Sequence, residues 1–346
     1  METIIKKIDP NNIDQDIIDE FGKMIADGKT VIFPTETVYG LGANALDEDA
    51  ASKIYEAKGR PSDNPLLVHV SEIEEINPLV KKIDKKAKLL MDKFWPGPLT
   101  IVFEKKDIIP YRTSGGLDTV AIRMPSDEVA RRIIKSSKKP IAAPSANLSG
   151  RPSPTKAEHI INDMQGRVDG ILIGGPCNYG VESTIVDLSG EYPVVLRPGS
   201  ITLEMLREVL GKVELDPALM RKSDNIKAKA PGMKYKHYSP KADVYMVKGQ
   251  IEDFARMVNE KNKENVSKGI KTGVLCMSKY KDLFEADVFE LGDSYEEVAK
   301  NLFDELIELD QKQIDIAYAQ IFEEKDVGVA IMNRLKKSAA YRLIEV

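Results

Sequence analysis

The stretch "TVIFPTETVYGLG", residues 30 to 42, decides how this chain is read. "TVIF" has the apolar, β-branched character of a buried strand. Pro34 cannot donate to a ladder and ends it, and Gly40 and Gly42 free the backbone to bend closely around something. Between these points Thr35, Glu36, Thr37 and Tyr39 place three hydroxyls and a carboxylate where an apolar strand runs out.

Outward from that strand, short apolar runs alternate with amphipathic windows over the first 210 residues. "PLLVHV", "LTIVFE", "TVAIRM", "PIAAP", "GILIGG", "STIVDL" and "PVVLRPG" have the length and composition of strands. "DEDAASKIYEAKG" has a helix period with acidic residues in its first turn. "PLVKKIDKKAKLLMDKF" sets Val80, Ile83, Ala87, Leu90, Met91 and Phe94 on one side, and "SDEVARRIIKSS" is opened by Ser126. The pattern predicts an α/β fold class, with a large twisted mixed sheet and helices in a domain of residues 1–210.

Residues 211–241 break the pattern. Within them "RKSDNIKAKAPGMKYKHYSPK" sets seven Lys or Arg against the single Asp224 and contains two prolines, which predicts an extended basic linker or lid. Residues 242–346 return to alternation, with "DVYMV", "GVLCM", "DVFEL" and "DIAYAQ" as strands and a capping box in "SYEE", Ser294 to Glu297. That predicts a smaller Rossmann-like parallel α/β domain in topology only. The turn after its first strand, "VKGQIEDF", has one glycine where a dinucleotide fingerprint needs three.

Length and composition exclude several classes. A chain of 346 residues favours two domains. No window approaches the roughly 18 consecutive apolar residues of a spanning helix, so no membrane role is expected. The opening "METIIKKIDPNNIDQD" lacks an apolar signal core, and the expected location is cytoplasmic. Cys177 and Cys276 lie far apart and are expected to be buried small apolar groups. A net charge of −5 argues against nonspecific coating of nucleic acid but allows a local basic pocket.

Several strand ends carry chemistry. In "YEAKGRPSDNPLLVHV", Lys58 and Arg60 sit where a helix runs out, as cationic caps or as ligands; Asn64 and then His69, inside an apolar strand, favour an anionic ligand. "APSANLSGRPSPT" brings Ser145, Asn147 and Ser153 after a buried strand, a loop that alone would be unremarked. "TVAIRMP" carries Thr119 and Arg123. An arginine between apolar neighbours needs an anionic partner, which a ligand, Asp187 or another acid would supply. "VESTIVD" adds Ser183 and "VVLRPGSIT" adds Arg197. Thr37, Arg60, His69, Arg123, Ser145 and Arg197 thus form a ring suited to an anionic ligand over a sheet edge. With Lys58, the arginines balance a triphosphate, or a phosphate plus a carboxylate. No metal-ligand set, paired carboxylates or nucleophile elbow is evident, which points to catalysis by positioning and charge neutralisation.

"FPTETVYGLG", "KGRPSDNPL", "PSANLSG" and "ESTIVD", four motifs in order, resemble the YrdC-domain family, and the linker plus second domain resembles its two-domain form. The resemblance implies a YrdC-like catalytic domain and threonylcarbamoyl-AMP synthase activity, a nucleotidyltransferase reaction joining L-threonine, bicarbonate and ATP with release of pyrophosphate. It implies Mg²⁺ carried on the ATP phosphates, with no protein metal site, and a product passed to downstream tRNA threonylcarbamoyl transfer machinery. Lys58, Arg60, Ser145 and Asn147 match the family's catalytic KxR and SxN signature. Thr37, His69, Arg123 and Ser183 would hold threonine. Arg60, Asn64, Thr119, the backbone at Ala143, Ser145, Ser153, Arg197 and Tyr235 would hold ATP. The alternative is an RNA-binding module without its own chemistry. Direct tRNA contact stays open, although few aromatics interleave with the basic residues.

Overall fold

A computed structural model describes residues 2–220 and 237–346. Two compact units divide the chain. One is built from residues up to 220, and the other from 237–346 together with Gly150–Pro152 and Tyr179–Val181.

The first unit is one sheet with eleven described strands. They are β1 (Ile4–Lys7), β2 (Val31–Phe33), β3 (Gly40–Asn44), β4 (Leu67–His69), β5 (Leu99–Glu104) and β6 (Thr119–Arg123). β7 (Ile141–Ala142), β8 (Gly170–Ile173), β9 (Thr184–Asp187), β10 (Val194–Arg197) and β11 (Glu214–Leu215) complete it. The spatial order is β1-β8-β2-β3-β7-β4-β6-β5-β9-β10-β11. Parallel pairs such as β4–β6 and β5–β9 alternate with antiparallel ones such as β5–β6 and β2–β3, so the sheet is mixed.

Helices α1 (Gln15–Ala26), α2 (Glu48–Lys58), α3 (Lys85–Phe94), α4 (Tyr111–Ser114), α5 (Glu128–Ser137), α6 (Ala157–Met164) and α7 (Leu203–Leu210) connect the strands. Strand alternation separates the cores. Val31 and Phe33 pack with Phe21 and Ile25 of α1 and Ile133 of α5, whereas Ile32 packs with the larger cluster that holds Ile54, Leu90 and Leu206. Along β4 and β6 the same alternation sends Val68 and Ile122 into that larger core. Leu67 and Ala121 turn the other way, onto a small apolar floor with Val102, Ile185 and Leu196. His69, Thr119 and Arg123 share the parity of Leu67 and Ala121, so they rise from that floor.

Four sequence expectations need correction. The helix predicted over 78–94 starts at Lys85, because Asp84 accepts the Ala87 N–H at 2.7 Å and caps it, while Val80 bridges to Lys105. Asp127, rather than Ser126, caps α5. Gly40 and Gly42 belong to a strand, not a bend. A Cβ at Gly42 would stand 2.5 Å from the Phe33 ring and 2.8 Å from Ile141, so glycine lets the two strands' side chains close up. β1 was not anticipated, being a short, exposed edge. The stretch 211–220, expected as linker, adds β11 to the sheet; the remainder of that basic segment, residues 221–236, lies outside the described residues.

The second unit has β12 (Asp243–Lys248), β13 (Thr272–Cys276), β14 (Asp287–Glu290), β15 (Ile316–Gln320) and β16 (Leu343–Glu345), with α8 (Ile251–Val266), α9 (Tyr295–Gln311) and α10 (Gly328–Ser338). All its pairs are parallel, in the order β14-β13-β15-β12-β16. The capping box at Ser294 and Glu297 opens α9 as the sequence predicts.

Candidate active site

The turn after β2 folds on its own hydroxyls. Thr35 donates to the Val38 carbonyl at 2.6 Å, and its oxygen lies 3.0 Å from that of Thr37. This fixes the Thr37 hydroxyl to accept from Arg123 Nη1 at 2.8 Å. Arg123 ends β6 opposite His69 on β4 and Thr100 on β5. Its Nε donates to the Gly97 carbonyl at 3.3 Å. Its acidic neighbour is Glu36: Nη2 lies 2.7 Å from Glu36 Oε2, a close charge contact rather than an aligned hydrogen bond. Asp187, the partner considered from sequence, instead accepts from Ser189.

Glu36 is buried, which alone would raise its pKa. The Arg123 charge and the Ser126 N–H, donated to Oε1 at 2.8 Å, outweigh that and hold the carboxylate below its usual range. His69 is equally buried. Burial first and the Arg123 charge second push its imidazole down to about 3, so it is neutral at physiological pH, and its Nδ1 has no partner.

Thr100 carries the chain of contacts onward, with its hydroxyl 2.7 Å from that of Ser183. Ser183 accepts from Arg197 Nη2 at 3.0 Å, and its carbonyl accepts from Arg197 Nε at the same distance. The register of β10 shifts between Val195 and Arg197, a bulge that re-aims the arginine.

A second cluster gathers around Lys58, the last residue of α2, where Gly59 turns left-handed at φ 61°. The buried Lys58 ammonium donates to the Ser145 and Asn147 carbonyls, both at 2.5 Å, and so ties the "KGR" turn to the "SAN" loop. Burial, with Arg60 beside it, holds this lysine well below its usual pKa, against the pull of Glu182. Ser145 donates to Asn147 Oδ1, and Ser153 donates to Glu182 Oε1 at 2.8 Å. Arg60 reaches the Asn64 and Pro65 carbonyls at 3.2 and 3.0 Å, while Asn64 Oδ1 is buried without a partner.

The structure therefore brings Thr37, His69, Arg123, Ser183 and Arg197 together, and separately Lys58, Arg60, Asn64, Ser145 and Asn147. Thr119 lies with neither Arg123 nor His69. It begins β6, four residues from Arg123 and thus roughly 13 Å along the strand. The β4–β6 register puts that end of the sheet beside Pro65, hence beside Arg60 and Asn64. Ala143 sits between, its N–H donated to the Leu67 carbonyl at 2.8 Å. Tyr235 lies outside the described residues.

Two family profiles match the chain, one described as "Telomere recombination" over residues 23–199 and one as "Threonylcarbamoyl-AMP synthase, C-terminal domain" over 201–340. The chain belongs to the threonylcarbamoyl-AMP synthase family. A threonylcarbamoyl-AMP synthase of Pyrococcus abyssi is 49% identical over 323 residues, 93% of this chain and 94% of that one. The threonylcarbamoyl-AMP synthase of Bacillus subtilis is 46% identical over 325 residues, 93% and 92% of the two chains. The crystal structure of P. abyssi Sua5 complexed with L-threonine superposes with a TM-score of 0.94 at 47% identity, covering 99% of this chain and 100% of that one.

For this threonylcarbamoyl-AMP synthase family member, sequence reasoning noted the Glu36 carboxylate without giving it a role and passed over Thr100, Asp127 and Glu182. Glu36 had a usable signal, because a strand-end arginine among apolar residues requires an acid and Glu36 adjoins Thr37. Thr100 and Glu182 had none: Thr100 reaches Ser183 from a neighbouring strand, and Glu182 meets Ser153 of a loop 29 residues away, so no local pattern encodes either contact.

Proposed function

We propose that the chain makes threonylcarbamoyl-AMP from L-threonine, bicarbonate and ATP, as a nucleotidyltransferase. The observation that carries this is the single sheet face with Thr37 bonded to Arg123 at one end and Arg60 at the other. Its length suits an amino acid meeting a nucleotide. In this reading Thr37, His69, Arg123 and Ser183 hold threonine. Arg60, Asn64, Thr119, Ala143, Ser145, Ser153 and Arg197 hold ATP, and the Lys58–Ser145–Asn147 tie fixes the loop beneath its phosphates.

The reaction has two parts. The threonine amine captures bicarbonate as a carbamate with loss of water, and a carbamate oxygen attacks the α-phosphorus in line, expelling pyrophosphate. The chain's share is orientation and cationic compensation of the leaving group. Among the described residues no three His, Cys, Asp or Glu side chains are grouped to hold a metal, so Mg²⁺ would enter on the triphosphate. The product would feed a tRNA-modifying transferase. The matched relatives are named as synthases, which favours this reading over an RNA-binding module.

The test mixes protein, ATP and Mg²⁺ without RNA and follows pyrophosphate. Release is expected only when threonine and bicarbonate are both present; release indifferent to threonine rejects the assignment.

A further inference from the structure

The charged and titratable groups at the Thr37 end of the face are Glu36, His69, Arg123, Asp127, Cys177 and, bonded to Ser183, Arg197. Arg123 and Glu36 are 3% and 2% exposed and in charge contact. His69 is neutral, as described. Burial pushes the Cys177 thiol up, which keeps it protonated. Burial first, and the Glu36 charge among the rest, push the Asp127 carboxyl up to about 6, so it is mostly ionised above pH 7. Two guanidiniums thus stand among two carboxylates, and Glu36 is the one in charge contact with Arg123. This end carries no net positive charge, although it contains two arginines.

That balance fits one kind of occupant. An α-amino acid is a zwitterion and brings no net charge, whereas phosphate or a triphosphate tail brings two or more negative charges into a site that cannot offset them. A carboxylate set against the wrong ligand is a device for discrimination rather than for affinity.

We propose that Glu36 determines specificity: by compensating Arg123 it reserves that guanidinium for a zwitterionic amino acid and turns polyanions away from it. The proposal rests on the threonine assignment above. Glu36 also ties the loop after β2 to the start of α5 through Ser126, so its substitution must preserve that bond. Glu36→Gln does, because the amide oxygen still accepts.

The experiment measures the apparent KM for threonine in the full-length chain, with sodium sulfate replacing chloride at constant ionic strength and pyrophosphate release as readout. The unchanged protein should show a threonine KM steady within about twofold as sulfate replaces chloride. In Glu36→Gln, sulfate should compete with threonine and raise that KM about tenfold, as expected for a buried guanidinium left without its counter-charge. Asp127→Asn, which keeps the helix cap, should move in the same direction by about threefold.

A merely structural Glu36 would lower the active fraction without creating sulfate competition, and that result overturns the proposal. So does sulfate competition with threonine in the unchanged protein. Should Glu36→Gln fail to fold, Asp127→Asn decides by the same criterion. Absence of threonine-dependent release in the unchanged protein is a different failure, that of the synthase reading itself.

Discussion

The two sheets of this molecule end their strands differently. In the second unit, strand-end charges are exposed and paired off locally: Lys248 of β12 with Glu345 of β16 at 2.8 Å, and Glu290 of β14 with Lys281 at 3.1 Å. Gln320 of β15 spends its amide oxygen on the Met277 N–H at 3.0 Å. In the first unit, strand-end groups are buried and hold one another: Thr37 with Arg123, Ser183 with Arg197, Lys58 with the Ser145 loop. Exposed pairs of the first kind contribute little and are screened by salt, whereas buried polar groups must be matched or left costly. A parallel sheet is the more familiar nucleotide platform, yet here the buried, mutually bonded polar groups collect on the mixed one. Side chains at the strand ends, rather than strand direction, mark the site.

The largest expected effect tests the cationic end of the mixed sheet. Arg60→Ala should lower turnover by at least about 10³-fold, roughly 4 kcal/mol of transition-state stabilisation, with an unchanged far-ultraviolet circular dichroism spectrum. Near-normal turnover would remove the phosphate role and with it the contrast between the sheets.

The next effect concerns burial. The folded pKa of His69 lies at about 3, below its unfolded 6.5, so its contribution to stability is present above pH 6.5 and lost as pH falls. Between pH 6.5 and 4 the loss should be on the order of 3 kcal/mol, read from urea unfolding at each pH, and His69→Gln should flatten it. Asp127, raised to about 6, has the opposite sign: its contribution is present below pH 4 and lost as pH climbs through 6. Asp127→Asn should therefore steepen the net acid loss. An acid profile unchanged by either substitution would mean these side chains are not buried as described.

How much of this was legible beforehand follows from what kind of pattern carries each part. The alternation of residue types gave twelve strands of the two sheets and the capping box at Ser294, because periodicity and caps are local. The site's cations and hydroxyls were legible for the same reason, each breaking an apolar run. What stayed hidden depends on neighbours distant in sequence. β3 hides because its glycines matter to Phe33 and Ile141, and Thr100 hides because only the β5–β9 pairing sets it near Ser183. The position of Thr119, a strand's length from Arg123, likewise emerges only once β6 is laid out.

Close packing in the mixed sheet supplies the third effect. Gly42→Ala places a methyl 2.5 Å from the Phe33 ring, an overlap that strand β3 cannot relieve without shifting. Destabilisation of about 2 kcal/mol in urea is expected, and Phe33→Leu should restore part of it by vacating the contact. Additive losses in the double variant would show that the glycine serves something other than this ring.

The smallest effect is the most direct challenge to the comparison. Gln320 is the half-buried polar group at a strand end of the parallel sheet, so it is where a substrate contact in that unit would fall. If chemistry belongs to the mixed sheet alone, Gln320→Ala leaves the Met277 N–H without its acceptor and costs stability. Turnover and both substrate KM values should stay within about twofold, roughly 0.4 kcal/mol. A tenfold change in the KM for ATP would place a nucleotide contact on the parallel sheet, because loss of one side-chain acceptor for a backbone N–H does not discriminate between substrates. Equal small losses in every kinetic constant would mark Gln320 as a support for its own strand and nothing more.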